Sequence, residues 1–73
     1  MLLSQMQTHE TRRIKSILET NKAHARRLCE MGFLPGTNIT VARRAPLNSP
    51  IAVRLRGYEI IIGIYDAGLI EVE

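Results

Sequence analysis

The stretch Arg26-Arg27-Leu28-Cys29-Glu30-Met31-Gly32-Phe33-Leu34-Pro35-Gly36 constrains this chain more than any other. It reads as the end of a helix followed by a sharp apolar turn into a strand. Ala25, Leu28 and Cys29 follow the i, i+3, i+4 spacing of one helical face. Gly32 stands where a helix stops, because a residue without Cβ accepts the left-handed conformation cheaply. Phe33, the only Phe, follows at once, and its ring is expected to pin the reversal against the helix. Pro35-Gly36 is a turn dipeptide in which Pro fixes φ and Gly permits a positive φ beside it. A corner of this kind is a folding device and not, by itself, an active site.

Upstream, Thr20-Asn21 offers an N-cap, since an Asn side-chain oxygen can accept from a first-turn N–H. The helix then runs from about Lys22 to Met31, too short to be stable without a core beneath it. Thr11 to Leu18 suits a strand with Ile14 and Ile17 buried, although a spacing of three also fits a helix. Residues 1 to 10 carry Leu2, Leu3 and Met6 and are expected as a short strand or an ordered arm over the barrel.

Beyond the corner the pattern changes to period two. Ile39 and Val41 alternate with Thr40 and Ala42 and end in Arg43-Arg44. Ala45-Pro46-Leu47-Asn48-Ser49-Pro50 reads as a loop. Ile51, Val53 and Leu55 share one face of the next strand, Gly57 marks a tight turn, and Tyr58 to Ile62 returns as a second strand. Tyr65 to Gly68 reads as one helical turn or a tight bend, and Leu69 to Val72 as a last strand with Ile70 and Val72 inward. Short strands in so small a chain expose their edges unless the sheet curls on itself. The expected fold is therefore mainly β, a single domain over 1–73: a small, partly open, five-stranded barrel with one short helical insertion. An aliphatic edge of such a barrel can pair with a second copy, so a homodimer is one expectation.

Composition narrows the function. The chain has 73 residues, 45% of them hydrophobic, but Phe33, Tyr58 and Tyr65 are its only aromatics, so the core must be aliphatic. One cysteine cannot form an internal disulfide, and the N-terminus lacks the basic and long apolar regions of a signal peptide. The longest apolar run, Ile60 to Tyr65, is far below the roughly 20 residues of a membrane helix. A cytoplasmic protein is expected.

His9, His24 and Cys29 are the candidate soft metal ligands. On the helix, however, His24 and Cys29 lie five residues apart, roughly 140° around the axis, and cannot share an ion. No paired-ligand spacing occurs, so Cys29 is expected as a buried small hydrophobe, both histidines as solvated residues, and no metal or other cofactor is assigned. No nucleophile elbow or phosphate loop is present, and so short a chain has little room for a substrate cavity. No enzyme and no small-molecule substrate are expected. The net charge of +3 permits a basic face, with Arg44, Arg54 and Arg56 expected outward on adjacent strands and Arg43 nearby. Single-strand nucleic-acid binders interleave aromatics for stacking, and only two tyrosines are available, so a solvated cationic face or a docking patch for an acidic protein suits the chain better than nucleic acid.

The run Arg27-Leu28-Cys29-Glu30-Met31-Gly32-Phe33-Leu34-Pro35-Gly36 resembles the R-L-x-x-(M/L)-G-(F/L)-x-P-G signature of the FeoA family. The resemblance continues through Ala45-Pro46-Leu47 and Pro50, then Val53 to Tyr58 and the terminal Ala67, Ile70 and Val72. It implies an SH3-like barrel and a cytoplasmic accessory of ferrous iron uptake that acts on the membrane permease FeoB, whose cytoplasmic part is a G-protein domain. Similar domains end metal-dependent repressors, so a regulatory role, with nucleic acid or a directly bound transition metal ion, is the alternative it leaves. Asn48-Ser49 replaces the family's usual Gly-Asp, and Ile62-Gly63 its common Leu-Arg. The residues expected to meet the partner are Leu34 and Pro35 at the corner, Pro46 and Leu47 in the loop, and Arg44, Arg54 and Arg56.

Overall fold

Asn21 starts the helix and Gly32 ends it, as their chemistry requires. The Asn21 side chain accepts from the His24 N–H at 3.1 Å. At the other end Gly32 has φ +113°, its N–H bonds to the Cys29 carbonyl, and the Phe33 N–H bonds to that of Leu28. That pair of bonds is a Schellman motif, and Leu28 and Phe33 meet in the core as its apolar contact. The next turn closes with the Thr37 N–H on the Leu34 carbonyl at 3.1 Å, Pro35 leading and Gly36 at φ +89°. It is the type II turn that a Pro-Gly pair favours.

The computed structural model describes residues 1–73, apart from the side chain of Asn48. The strands are β1 (Thr11–Ile17), β2 (Asn38–Arg44), β3 (Ile51–Leu55), β4 (Tyr58–Ile62) and β5 (Ile70–Val72). Helix α1 (Lys22–Glu30) joins β1 to β2, and the one-turn helix α2 (Ile64–Ala67) joins β4 to β5. Short 3-10 turns cover Leu3–Gln5 and Pro46–Asn48. The sheet is antiparallel in the order β4-β3-β2-β1-β5 and does not close, as a partly open barrel requires.

β1 makes the sheet curl by changing partner along its length. Thr11 to Arg13 pair with β2, whereas Ile14 to Ile17 pair with β5 across an irregular register. The free side of β5 is covered by the N-terminus: Leu2 bridges Glu71, and the Val72 N–H bonds to the Met1 carbonyl. Residues 1 to 10 are thus an ordered arm, with Leu3 and Met6 buried. The core is aliphatic apart from Phe33, as so few aromatics dictate. Cys29 differs from expectation, being only partly buried beside Leu28, which takes the inward position.

Candidate docking surface

The hairpin between β3 and β4 turns on Arg56 (φ +52°) and Gly57 (φ +86°). Two consecutive positive φ values in a two-residue loop make a type I′ turn, for which Asn-Gly is the favoured pair. Arg56 occupies the position where Asn is better suited, and its side chain is exposed. Beside it, on the outer face of the sheet, an open groove of about 470 Å³ runs across β2, β3 and β4. Its floor includes Asn38 and Thr40, and Arg54, Arg56, Tyr58 and Glu59 line it.

The charge of the groove is set by Glu59. Both of its oxygens accept from Arg43, at 3.3 and 2.5 Å, and the Arg54 Nε lies 3.8 Å away. The bond from Arg43 holds the Glu59 carboxyl below its usual range. This carboxylate is engaged by an arginine outside the groove, so Arg54 and Arg56 leave the lining cationic.

The corner stands next to this groove. The Tyr58 hydroxyl donates to the Met31 carbonyl at 2.6 Å, and a Cβ placed on Gly32 would lie 2.3 Å from that hydroxyl oxygen. Leu34 and Pro35 are both exposed and lie between Gly32, which touches Tyr58, and Asn38, which lines the groove. Leu34, Pro35, Arg54 and Arg56 therefore share one end of the barrel.

Arg44, Pro46 and Leu47 lie at the other end, separated by the length of β3, on the order of 13 Å. Leu47 is 97% exposed and has φ +69°, a region that bulky side chains avoid. Its loop is tied to α2 through the Ile64 N–H, which donates to the Ser49 hydroxyl at 3.2 Å.

Arg44 does not face outward with Arg54 and Arg56. A register shift after Val41 opposes Arg43 to Ala52 and Arg44 to Ile51, so the extra residue turns Arg43 to the outer face and Arg44 to the inner one. The Arg44 guanidinium then donates to the carbonyls of Ser4, at 3.0 Å, and Met6, fastening the N-terminal arm. Arg43 takes its place on the outer face. Nothing in the alternation of Ile39 to Arg44 signals a bulge, which is why the sequence pointed to the wrong arginine.

His24 is not a solvated residue either. Its Nε2 lies 3.0 Å from Asp66 Oδ1 and 4.0 Å from Glu19 Oε2, clasping α1 to α2. Among the described residues, no three His, Cys, Asp or Glu side chains are grouped to hold an ion. No described helix is long and apolar enough to cross a membrane.

The whole sequence, residues 1–73, matches the FeoA domain family. The chain belongs to that family. It is 37% identical to the Fe(2+) transport protein A/Fe(2+) transporter FeoB fusion protein of Porphyromonas gingivalis, all of the chain matching 8% of that protein's length. FeoA is thus associated with ferrous iron transport, and this chain spans a small part of that curated relative. Iron(II) transport protein A from Clostridium thermocellum superposes with a TM-score of 0.90 at 36% identity, over 100% of this chain and 44% of the other. A FeoA from Stenotrophomonas maltophilia, solved as a zinc complex and described as a procaryotic SH3 domain protein, superposes at 0.86 with 29% identity, over 100% and 89%. The open five-stranded sheet is the SH3-like fold of FeoA proteins.

Proposed function

We propose that this chain is a non-enzymatic accessory of ferrous iron transport that docks, from the cytoplasm, on the cytoplasmic part of a FeoB-type transporter. The observation that carries this reading is the P. gingivalis relative, in which a FeoA portion and FeoB form one polypeptide. A fusion keeps its two parts at high effective concentration, which suits a domain whose task is exercised on its neighbour.

The docking surface in this reading is the groove end of the barrel. Its cationic lining of Arg54 and Arg56 fits an acidic segment, and the Leu34-Pro35 corner supplies an apolar margin. Arg56 supports it further, because a residue kept in a backbone region that disfavours it marks a position selected for something other than the fold. The same argument applies to Leu47, which with the exposed Pro46 beside it forms a second, separate contact if the partner reaches around the domain.

The test is affinity of the purified chain for the cytoplasmic portion of a FeoB-type transporter, with and without guanine nucleotide. Arg54→Glu with Arg56→Glu is expected to lower affinity about tenfold or more while leaving the fold intact, a loss of roughly 1.4 kcal/mol or more. Unchanged affinity removes the groove from the interface. Leu47→Asp decides the second contact in the same assay, and no binding by the unaltered chain overturns the reading.

A further inference from the structure

We infer that β4 is an interface strand that pairs edge to edge with β4 of a second copy of this chain. The proposal is independent of the docking reading above. It begins with a mismatch between sequence and position. Edge strands ordinarily carry a polar outer face, whereas continuous apolar runs belong to strands covered on both sides. β4 lies at the edge of the sheet yet contains Ile60-Ile61-Ile62. Ile62 is buried, Ile60 packs against the margin of the core, and Ile61 stands on the outer face with 58% of its surface exposed.

The backbone is arranged for pairing. A two-residue turn makes Leu55/Tyr58, Val53/Ile60 and Ile51/Ile62 the hydrogen-bonded pairs within the hairpin. The N–H and C=O groups of Glu59 and Ile61 therefore point away from β3, toward open space. Antiparallel self-pairing with Ile61 opposite its mate brings Ile60 against Ile62 on the inner side and Ile61 against Ile61 on the outer. All six isoleucines then lie in the seam.

Charge favours the same register. Shifting the pairing so that Glu59 meets Glu59 opposes two like charges, which is unfavourable. With Ile61 at the centre, Glu59 instead faces Gly63 of the other copy and keeps its Arg43 partner in its own chain. The seam then bears no unbalanced charge.

The occupant is a second copy because the arrangement closes at two. The opposite edge, β5, is already covered by Met1 and Leu2 of the same chain. A pair joined through β4 thus has no free edge left on which to grow, unlike an open sheet that stacks into filaments.

The test is sedimentation of the full chain from micromolar to millimolar concentration, with amide hydrogen exchange across the same range. The expected result is a rise from the 8.2 kDa monomer to twice that mass, with slowed exchange at the Glu59 and Ile61 amides as the dimer fills. Ile61→Lys is expected to remain monomeric with an unchanged circular dichroism spectrum. Leu47→Lys, which alters an equally apolar exposed residue elsewhere, is expected to dimerise as before. A monomer at every concentration overturns the proposal, as does an Ile61→Lys protein that dimerises. If that variant does not fold, exchange on the unaltered chain decides: no concentration-dependent protection at Glu59 and Ile61 overturns it.

Discussion

The Tyr58 hydroxyl donates to the Met31 carbonyl across the backbone of Gly32, joining the hairpin turn to the end of α1 at 2.6 Å. Gly32 is doubly constrained at this point. Its φ of +113° suits only glycine, and the space where a Cβ would stand is taken by the tyrosine hydroxyl. Gly32→Ala is therefore expected to destabilise the fold by about 2 kcal/mol, through backbone strain and the displaced hydrogen bond. Tyr58→Phe alone is expected to cost about 1 kcal/mol. The double variant should be less destabilised than the sum of the two, because both act on one contact. Urea unfolding of the four proteins checks this, and strict additivity would show that the two sites are uncoupled.

Arg44 holds the N-terminal arm by donating to two of its carbonyls. Arg44→Ala is expected to lower stability by about 1.5 to 3 kcal/mol, the usual range for hydrogen bonds from a charged donor. It should also speed amide exchange at Gln5 and Met6, whose N–H groups bond within the arm, more than in β3. Uniform acceleration throughout the chain would mean that the arginine supports the whole fold and not the arm in particular.

The Glu59 carboxyl titrates below its ordinary value because Arg43 donates to it, so the unfolded chain binds this proton more readily than the folded one. Stability from this group is present above the ordinary carboxylate range and is lost as pH falls through that range to the lower folded value. Glu59→Gln should flatten this part of the acid limb of a stability profile. Glu10, lowered chiefly by the Gln7 backbone N–H and then by Arg12, contributes a second step of the same sign. An acid limb that Glu59→Gln leaves unchanged would show that the Arg43 pair does not persist in solution.

Arg56→Asn separates fold from function. Asn accepts the left-handed conformation of a type I′ turn more readily than Arg, so melting should rise by the equivalent of a few tenths to about 1 kcal/mol. Affinity for the transporter's cytoplasmic portion should fall in the same protein. A variant that is both more stable and equally tight-binding would leave the arginine without a docking role.

The sequence was most legible where one local rule acts alone. The Asn21 cap, the Gly32 stop, the Pro35-Gly36 turn and the Ile51–Ile62 hairpin each follow from the preference of one or two residues. The ambiguous Thr11–Leu18 segment became a strand through partners far away in sequence, β2 and β5, which no local window contains. The site was read less well for the same reason. Arg44 and Arg43 exchange faces through one unpaired residue in β2, and Tyr58 reaches the corner from 26 residues beyond Gly32. His24 looked free because its partner, Asp66, sits near the other end of the chain.

β1 spends Thr11–Arg13 on β2 and Ile14–Ile17 on β5, so no portion of the sheet is complete without it. Neither the meander β2-β3-β4 nor the terminal strand can peel away while its neighbour stays intact. Denaturation of this domain should accordingly be indivisible, one transition seen alike by every probe, with Ile14 at the point where both halves let go together.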